Sequence, residues 1–262
     1  TPENLEEFAK KYNRKIQKTI KERLYSWKPV EYDQYTSFKY LIGRSSAEYA
    51  VIRMIFEEIK VRSEDFTPIT YFDFGSGVGT GLWALTDCWK KNMSEYVTVD
   101  ISQDMGNISR EIFISAYKSR NIKQESIFHR RFLSAASPQY DIVLCAYSLF
   151  EMPSSTDRLR TILNLWNKTK DFLVIVEHGT NAGFNLINEA RDFILETSAQ
   201  ADVGYAFAPC PHDKPCPRFS TDTTPCNFLV NYTGMKLLTT KEQQTEAYSY
   251  VVLRKGERPD GK

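Results

Sequence analysis

The sequence has no apolar run that approaches the roughly 18 residues of a membrane-spanning helix, so we predict no membrane span. It also has almost no net charge, +1 at pH 7, which argues against a protein that coats nucleic acid uniformly. Internal repeats and low-complexity tracts are absent. The 262 residues, 42% apolar and 26% charged, are enough to bury one α/β core. The first residue is Thr, so we expect the natural start, with a possible targeting peptide, to lie upstream.

Positive charge is concentrated near the beginning of the chain, where residues 1–30 hold eight Lys or Arg against four Glu. The basic residues are Lys10, Lys11, Arg14, Lys15, Lys18, Lys21, Arg23 and Lys28. Two interpretations stay open. One is the solvated face of a weakly amphipathic helix over residues 4–26. The other is an arm that contacts phosphates, because Lys and Arg supply the sequence-independent part of nucleic-acid affinity.

The rest of the chain alternates between strand and helix patterns. A strongly amphipathic helix is predicted over residues 46–60, after an aromatic stretch, Tyr32–Tyr40, without clear period. The predicted strands are Ile69–Phe74, Tyr96–Asp100, Ser126–Phe128, Tyr140–Tyr147 and Asp171–Glu177, and the predicted helices are Leu82–Lys91, 104–119, Arg158–Lys168 and 183–197. This alternation is typical of βαβ units and a parallel sheet. Phe228–Tyr232 and Tyr248–Arg254 suit a closing antiparallel hairpin.

A glycine-rich loop carries the clearest functional signal. Asp73-Phe-Gly75-Ser76-Gly77-Val-Gly79 follows a buried strand and opens a helix. Glycines let the backbone turn sharply and approach a ligand closely, and the helix N-terminus offers free amides. Asp100 ends the next strand, about 20 residues further along the chain. A carboxylate at this position accepts hydrogen bonds from both hydroxyl groups of the ribose of a bound nucleoside cofactor. Ile101 follows it.

The loop separates two classes of cofactor. A dinucleotide fingerprint needs a third glycine at position 80, where this chain has Thr80. Asp73 suits the cationic methionine end of S-adenosylmethionine and would repel a pyrophosphate. We therefore predict an S-adenosylmethionine site. A dinucleotide site and a relic of the fold that binds nothing remain the alternatives.

Ligands in such sheets bind at the carboxyl ends of the strands, so later strand ends supply further candidates. Phe132 and Leu133 are placed to pack on adenine. Cys145, Ala146, Tyr147 and Ser148 are placed to line the floor of the site. Phe132 and Tyr147 have an equally good interpretation as plain core residues.

Catalytic motifs are missing after the fourth strand. The sequence Ala146-Tyr-Ser-Leu-Phe-Glu151 contains neither an Asn/Asp-Pro-Pro-aromatic tetrad nor a Pro-Cys nucleophile. Glu151 and His178 are the obvious acid–base candidates, and each also suits a structural role. The catalytic residues are therefore unknown, and enzymatic activity is left open.

A cysteine-rich loop is the second candidate site. Residues 201–226 contain five prolines and three cysteines, Cys210, Cys216 and Cys226, spaced by five and nine residues. An odd number of clustered cysteines does not form a complete set of disulfides, so the cluster indicates a metal site more than a disulfide framework. Proline beside a ligating cysteine recurs in iron–sulfur proteins. Zinc, with His212 as a further ligand, and no metal at all are the alternatives. Cys88 and Cys145 suit small core residues.

Several segments together resemble the methyltransferase-like assembly factors of the mitochondrial small ribosomal subunit, over about residues 40 to 256. The matching stretches are Tyr40-Leu-Ile-Gly-Arg44, Ala47-Glu-Tyr-Ala50, Asp73-Phe-Gly-Ser-Gly77, Phe172-Leu-Val-Ile-Val-Glu-His-Gly-Thr180, Ala208-Pro-Cys-Pro-His212, Pro215-Cys-Pro217 and Tyr248-Ser-Tyr-Val-Val-Leu-Arg-Lys-Gly256. The glycine loop is generic, whereas Ala-Pro-Cys-Pro-His is specific to this family.

The resemblance implies S-adenosylmethionine and a [4Fe–4S] cluster as ligands, with Cys210, Cys216 and Cys226 as three cluster ligands. The fourth cysteine of the family has no counterpart in this sequence. The resemblance also implies a mitochondrial matrix protein that binds small-subunit rRNA, with ribosomal proteins or other assembly factors as partners. Alternative functions are an active rRNA methyltransferase and a small-molecule methyltransferase with a structural metal.

The expected fold is thus α/β, a class I methyltransferase, Rossmann-like sheet with N-terminal helices and a Cys-rich metal-binding insertion. We place an N-terminal helical region at residues 1–62 and the S-adenosylmethionine-binding domain at residues 63–262, with the metal loop at residues 205–228.

Overall fold

The computed structural model describes residues 5–7, 10, 30–89, 93–120, 126–134, 138–198, 203–221, 224–235 and 243–259. The basic segment near the beginning falls almost entirely outside these residues, so its helix and its role stay predictions. No helix in the described ranges is both long and apolar enough to cross a membrane.

The described chain alternates strands and helices much as the sequence predicts. The helices are α1 (Gln34–Arg62), α2 (Thr80–Cys88), α3 (Gln103–Arg120), α4 (Ser155–Asn167), α5 (Asn181–Ser198) and the short α6 (Pro217–Thr221). The strands are β1 (Thr70–Phe74), β2 (Glu95–Val99), β3 (Ile127–Arg130), β4 (Tyr140–Ala146), β5 (Thr169–His178), β6 (Gly204–Ala208), β7 (Phe228–Tyr232) and β8 (Gln244–Lys255). The sequence patterns missed β6, α6 and residues 34–45 of α1.

Helix α1 begins at Gln34, well before the predicted start near residue 46. Asp33 caps it, because the Asp33 carboxylate accepts a hydrogen bond of 2.7 Å from the Thr36 N–H. The aromatic stretch without clear period is therefore largely helical. The apolar face of α1 is buried at Ala47, Val51, Ile55 and Ile59, whereas Met54 is 51% exposed.

The strands form one sheet in the order β3-β2-β1-β4-β5-β8-β6, with β7 also paired to β8. Strands β1 to β5 are mutually parallel, and β8 runs antiparallel to β5. The strand order reverses between β1 and β4, so the loops that follow β1, β2 and β4 meet at one crevice, the usual ligand position in such sheets. The α/β sheet of the methyltransferase type is confirmed.

Strand β8 has partners on both edges. Strand β5 pairs along one edge, and the other edge is shared by β6 and β7 in succession, with Ala208 opposite Val252 and Phe228 opposite Tyr248. The cysteine loop therefore leaves and rejoins the sheet at neighbouring positions of β8. The loop lies between β6 and β7, and not simply ahead of the predicted hairpin. This is because β6 pairs with the C-terminal part of β8, whereas β7 pairs with its N-terminal part.

Apolar side chains pack on both faces of the sheet. One buried cluster joins α1 and α2 to the sheet through residues such as Phe56, Leu82 and Phe172. The other joins α4 and α5 to the opposite face through residues such as Leu165 and Ile194. Helix α1 thus shares a core with the sheet, and it reaches the crevice at the strand ends. The proposed domain boundary between residues 62 and 63 stays a prediction.

Candidate functional site

The glycine loop lies between β1 and α2 in the conformation that its sequence predicts. Gly75, Gly77 and Gly79 have positive φ values of 68°, 51° and 87°, a region that side chains disfavour. A Cβ atom on Gly75 would lie 1.9 Å from the Ser148 Oγ. The loop therefore requires glycine both for its backbone angles and for its close approach to the turn after β4.

Asp100, at the end of β2, faces this loop. Its Oδ2 accepts a hydrogen bond of 2.7 Å from the Gly77 N–H, and its Oδ1 accepts one of 2.8 Å from the Ser102 N–H. Burial raises the pKa of Asp100, although both backbone hydrogen bonds lower it. The structure thus brings the two main predicted elements of the cofactor site into contact.

Asp73 is the buried acid at the base of the loop. It is 2% exposed, and the Tyr71 hydroxyl donates to its Oδ2 at 2.9 Å. Burial raises its pKa to about 7 in spite of that hydrogen bond, and the nearby charge of Asp100 adds to the effect. Its ionised form, which burial disfavours, would be stabilised by a cationic neighbour.

Two of the predicted cofactor contacts are largely exposed. Ile101 is 70% exposed and Phe132 is 68% exposed. Arg131 connects them, because its guanidinium lies 5.7 Å from the Phe132 ring centre and its Nη2 donates to the Ile101 carbonyl at 3.3 Å. Phe132 is therefore not a core residue. Leu133 is partly buried against the second core cluster.

The end of β4 supplies the floor of the crevice. Tyr147 has a left-handed φ of 56°, rare for a residue with a side chain, and its N–H donates to the Val176 carbonyl at 2.8 Å. Its ring is buried, and its hydroxyl has no hydrogen-bond partner among the described residues. Cys145, by contrast, is fully buried in the second core cluster and belongs to the core.

Helix α1 contributes a polar cluster that the sequence reasoning missed. Tyr40, Arg44 and Glu48 recur every four residues and so share one face of the helix. The Tyr40 hydroxyl donates to Glu48 Oε1 at 2.6 Å, and Arg44 Nη2 lies 2.8 Å from Glu246 Oε1. The signal that could have found the cluster is this spacing of polar residues within the Tyr40-Leu-Ile-Gly-Arg44 segment.

The same cluster extends to the ends of β5 and β8. His178 Nδ1 lies 3.8 Å from Glu246 Oε1, and the His178 ring centre lies 4.9 Å from that of Tyr147. Although burial opposes it, the neighbouring His178 and Arg44 side chains lower the pKa of Glu246 to about 2. Glu246 is therefore ionised at neutral pH and holds both partners.

A segment that precedes α1 crosses the mouth of the crevice. The Tyr32 carbonyl accepts a hydrogen bond of 2.7 Å from the Ser102 hydroxyl, and the Tyr32 hydroxyl donates to Glu151 Oε1 at 2.6 Å. Tyr32 thereby bridges the loop after β2 and the turn after β4. The cavity beside the glycine loop has a volume of about 20 Å³, room for about one water, so a larger ligand enters only when a side chain moves.

The acid–base candidates have structural partners. Glu151 accepts from Tyr32, and His178 lies beside Glu246. A third acid, Glu177, is fully buried, and its Oε1 accepts from the N–H groups of Leu149 and Phe150 at 2.9 and 3.3 Å. Burial raises the pKa of Glu177 to about 7. Glu177 therefore fixes the turn after β4 from inside the protein.

The cysteine loop brings its three thiols near one another. Burial raises the pKa of Cys210 and Cys226, and the neighbouring thiols, Cys216 included, raise both further. Arg191 Nη2 holds the loop through the carbonyls of His212 and Lys214, at 2.8 and 2.9 Å. Within the described ranges, however, no three His, Cys, Asp or Glu side chains have an arrangement that holds a metal ion.

The sheet order and the glycine-loop crevice define a class I methyltransferase-like fold. Two solved structures share this fold. The plantazolicin methyltransferase BpumL, in complex with a pentazolic desmethylPZN analogue and S-adenosylhomocysteine, matches with a TM-score of 0.53 and 9% identity over 98% of this chain and 100% of that one. A candidate RNA methyltransferase from Pyrococcus horikoshii matches with a TM-score of 0.51 and 10% identity over 91% and 96% of the two chains.

The chain belongs to the family described as mitochondrial small ribosomal subunit Rsm22, which matches residues 34–262. It is 34% identical to the human protein named ribosome assembly protein METTL17, mitochondrial, over 90% of this chain and 53% of that protein. It is 27% identical to the Rsm22-cox11 tandem protein 2, mitochondrial, of Schizosaccharomyces pombe, over 80% and 30%. The resemblance and the mitochondrial assignment are confirmed. The chain spans about half the length of the human relative and less than a third of the yeast one.

Proposed function

We propose that the chain is the cofactor- and RNA-binding core of an assembly factor for the mitochondrial small ribosomal subunit, acting in the matrix. The observation that carries the proposal is the family match over residues 34–262, combined with a glycine loop that contacts Asp100. Its partners would be small-subunit rRNA and ribosomal proteins or other assembly factors. The name of the human relative, a ribosome assembly protein, supports this role.

The crevice suits S-adenosylmethionine. The loop glycines allow close approach of the cofactor, Asp100 faces the ribose position, and buried Asp73 favours the cationic methionine end. The exposed apolar side chains of Ile101 and Phe132 suit adenine. The proposed contacts are Asp73, Gly75, Ser76, Gly77, Gly79, Asp100, Ile101, Phe132 and Tyr147.

The cysteine loop suits a [4Fe–4S] cluster, with zinc as the alternative metal. Three partly buried thiols lie within electrostatic reach of one another, and thiolates are the ligands that both metals prefer. Cys210, Cys216 and Cys226 would hold the group, and ligation would draw their sulfur atoms together. The buried Nδ1 of His212, which has no partner among the described residues, is a further donor in the loop. The role of such a group here would be to order the loop.

A binding role is favoured over catalysis by the partners of the acids near the crevice. Glu151 and Glu177 both hold protein groups, so neither is directed at an acceptor. An active rRNA methyltransferase is the second candidate. It is favoured by His178, which is half exposed beside Tyr147 and lies 3.8 Å from Glu246, a suitable position for a general base.

Two measurements test the proposed function. Asp100→Ala should weaken S-adenosylmethionine binding by more than about tenfold in calorimetry, because a charged acceptor for the ribose hydroxyls is lost. The same variant, expressed in cells that lack the endogenous protein, should fail to restore small-subunit assembly. If the variant restores full assembly although it no longer binds the cofactor, then cofactor binding is not part of the proposed function. Transfer of a labelled methyl group to immature rRNA would instead establish the methyltransferase.

RNA binding is tested separately. Neutralising Lys10, Lys11, Arg14 and Lys15 should flatten the salt dependence of RNA affinity, with each lost phosphate contact lowering the logarithmic slope by roughly 0.7 to 0.9. An unaltered slope would assign the basic segment to a solvated helix. If the full chain shows no salt-dependent RNA binding, the small-molecule methyltransferase is favoured.

A further inference from the structure

Helix α1 forms one wall of the cavity beside the glycine loop. Tyr40, Glu48 and Ile52 line this cavity together with Asp73 and residues 75–78 of the loop. The cavity is therefore lined by two buried acids, one from the sheet and one from the helix. A phosphate would be repelled here, whereas a group with positive charge would be attracted.

Glu48 is held in place from two sides. It is 4% exposed, the Tyr40 hydroxyl donates to its Oε1 at 2.6 Å, and Arg44 Nε lies 3.5 Å from the same oxygen. Burial nevertheless raises the pKa of Glu48 above its ordinary value. The hydrogen bond and the guanidinium orient the carboxylate without removing the cost of its charge. An ammonium group in the cavity would compensate that charge.

The hydroxyl of Tyr147, the residue that follows Ala146 of the cavity lining, is the second, independent feature. It is buried and has no hydrogen-bond partner in the part of the chain that the structure describes. The Arg44 guanidinium lies 5.9 Å from the Tyr147 ring centre. Burial raises the pKa of Tyr147 well above its ordinary value, and the charges of Glu48 and Glu246 raise it further, so the group stays a donor. A buried donor without an acceptor is costly unless a ligand supplies one.

We propose that Glu48 and Tyr147 form the subsite for the amino-acid end of the cofactor. Glu48 accepts hydrogen bonds from the α-ammonium group, and the Tyr147 hydroxyl donates to the α-carboxylate. Arg44 is a positioning residue, since it holds Glu48 and adds positive charge on the side of the carboxylate. The inference rests on the proposed cofactor, S-adenosylmethionine, and assigns its amino-acid end to a helix outside the glycine loop.

The subsite is tested by comparing two ligands. S-adenosylmethionine has the amino-acid end, whereas 5′-methylthioadenosine has the same adenosine and sulfur without it. Calorimetry on the full chain should show that Glu48→Gln weakens S-adenosylmethionine binding about tenfold or more and Tyr147→Phe about fivefold. Neither variant should change 5′-methylthioadenosine binding by more than about twofold.

Glu58→Gln is a matched control. Glu58 is also on α1 and also accepts from a tyrosine hydroxyl, that of Tyr250 at 2.6 Å, but it does not line the cavity. It should alter the affinity of neither ligand. Circular dichroism and thermal melting of every variant confirm that the fold is retained.

Three outcomes would overturn the subsite. If Glu48→Gln weakens both ligands equally, Glu48 supports the pocket as a whole and does not bind the amino-acid end. If it changes neither while Asp100→Ala weakens both, the subsite is wrong and the proposed cofactor stands. If the unmodified chain binds neither ligand, the subsite and the proposed cofactor fail together.

Discussion

Arg44 and Glu246 are 202 positions apart in the chain, yet Arg44 Nη2 and Nη1 lie 2.8 and 3.4 Å from the two carboxylate oxygens of Glu246. This pair connects α1 to the beginning of β8. Both side chains are largely protected from solvent, with exposed fractions of 31% and 14%. The helix that covers the crevice is thereby fixed to the sheet at the cavity itself.

Glu246→Gln should destabilise the protein by about 1 to 2 kcal/mol at neutral pH, because a partly buried cation loses its anionic partner. The pKa of Glu246 is lowered to about 2 in the fold, so its contribution is present above its ordinary pKa of 4.5 and is lost as the pH falls towards 2. Urea unfolding at about pH 7 and about pH 3.5 should therefore show a smaller difference between variant and parent at the lower pH. A difference that does not depend on pH would contradict this account of the pair.

Gly81→Ala should destabilise the protein by about 1 to 3 kcal/mol, because the new methyl group has no room. Its Cβ would lie 2.4 Å from the Tyr71 hydroxyl oxygen and 2.6 Å from both Asp73 Oδ2 and Leu144 Cδ2. Gly43→Ala, in α1, is the control, since nothing lies within 4 Å of its Cβ position. It should raise stability by about 0.5 to 1 kcal/mol through helix propensity. Equal effects in thermal unfolding would show that the packing around Gly81 is looser than described.

Tyr32→Phe should speed the exchange of S-adenosylmethionine about fivefold, because it removes one hydrogen bond of about 1 kcal/mol that holds the bridge over the crevice. Stopped-flow measurement of cofactor dissociation checks this. Tyr35→Phe is the control, since Tyr35 is 71% exposed on the first turn of α1. An unchanged dissociation rate in Tyr32→Phe would mean that the bridge does not limit exchange.

Cys210→Ser, Cys216→Ser and Cys226→Ser should each abolish metal binding, because the proposed site requires all three thiolates. The sheet should survive, since β6 and β7 each keep their own pairing with β8. Cys88→Ser, in α2 and away from the loop, should retain the metal. Iron content and visible absorption of anaerobically purified protein are the measurements. Stoichiometric zinc without iron would identify the other metal.

The sequence was sufficient to predict the glycine-loop half of the site. A buried strand, the loop from Asp73 to Gly79, a helix and a second strand that ends before Asp100 are contiguous, and parallel pairing brings their ends together. The physical constraints there are local: positive φ angles need glycine, and a strand needs a run of apolar residues. Such constraints are readable from one chain.

The other half of the site depends on distant parts of the chain. Tyr40 and Glu48 acquire their role only when α1 packs over the crevice, and Arg44 only when β8 brings Glu246 to it. The early part of α1 was missed because its cap, Asp33, comes before an aromatic stretch with no helical period. Strand β6 was missed because five residues beside a proline-rich loop give a weak signal without their partner.

Strand β8 also determines when the sheet can be completed during synthesis. It is translated after all the other described strands, yet it lies between β5 on one edge and β6 and β7 on the other. Until it leaves the ribosome, the edge of β5 is unpaired, and β6 and β7, with the cysteine loop between them, have no strand on which to pair. A nascent chain that pauses before Gln244 therefore exposes open strand edges, the kind of surface that recruits chaperones or aggregates.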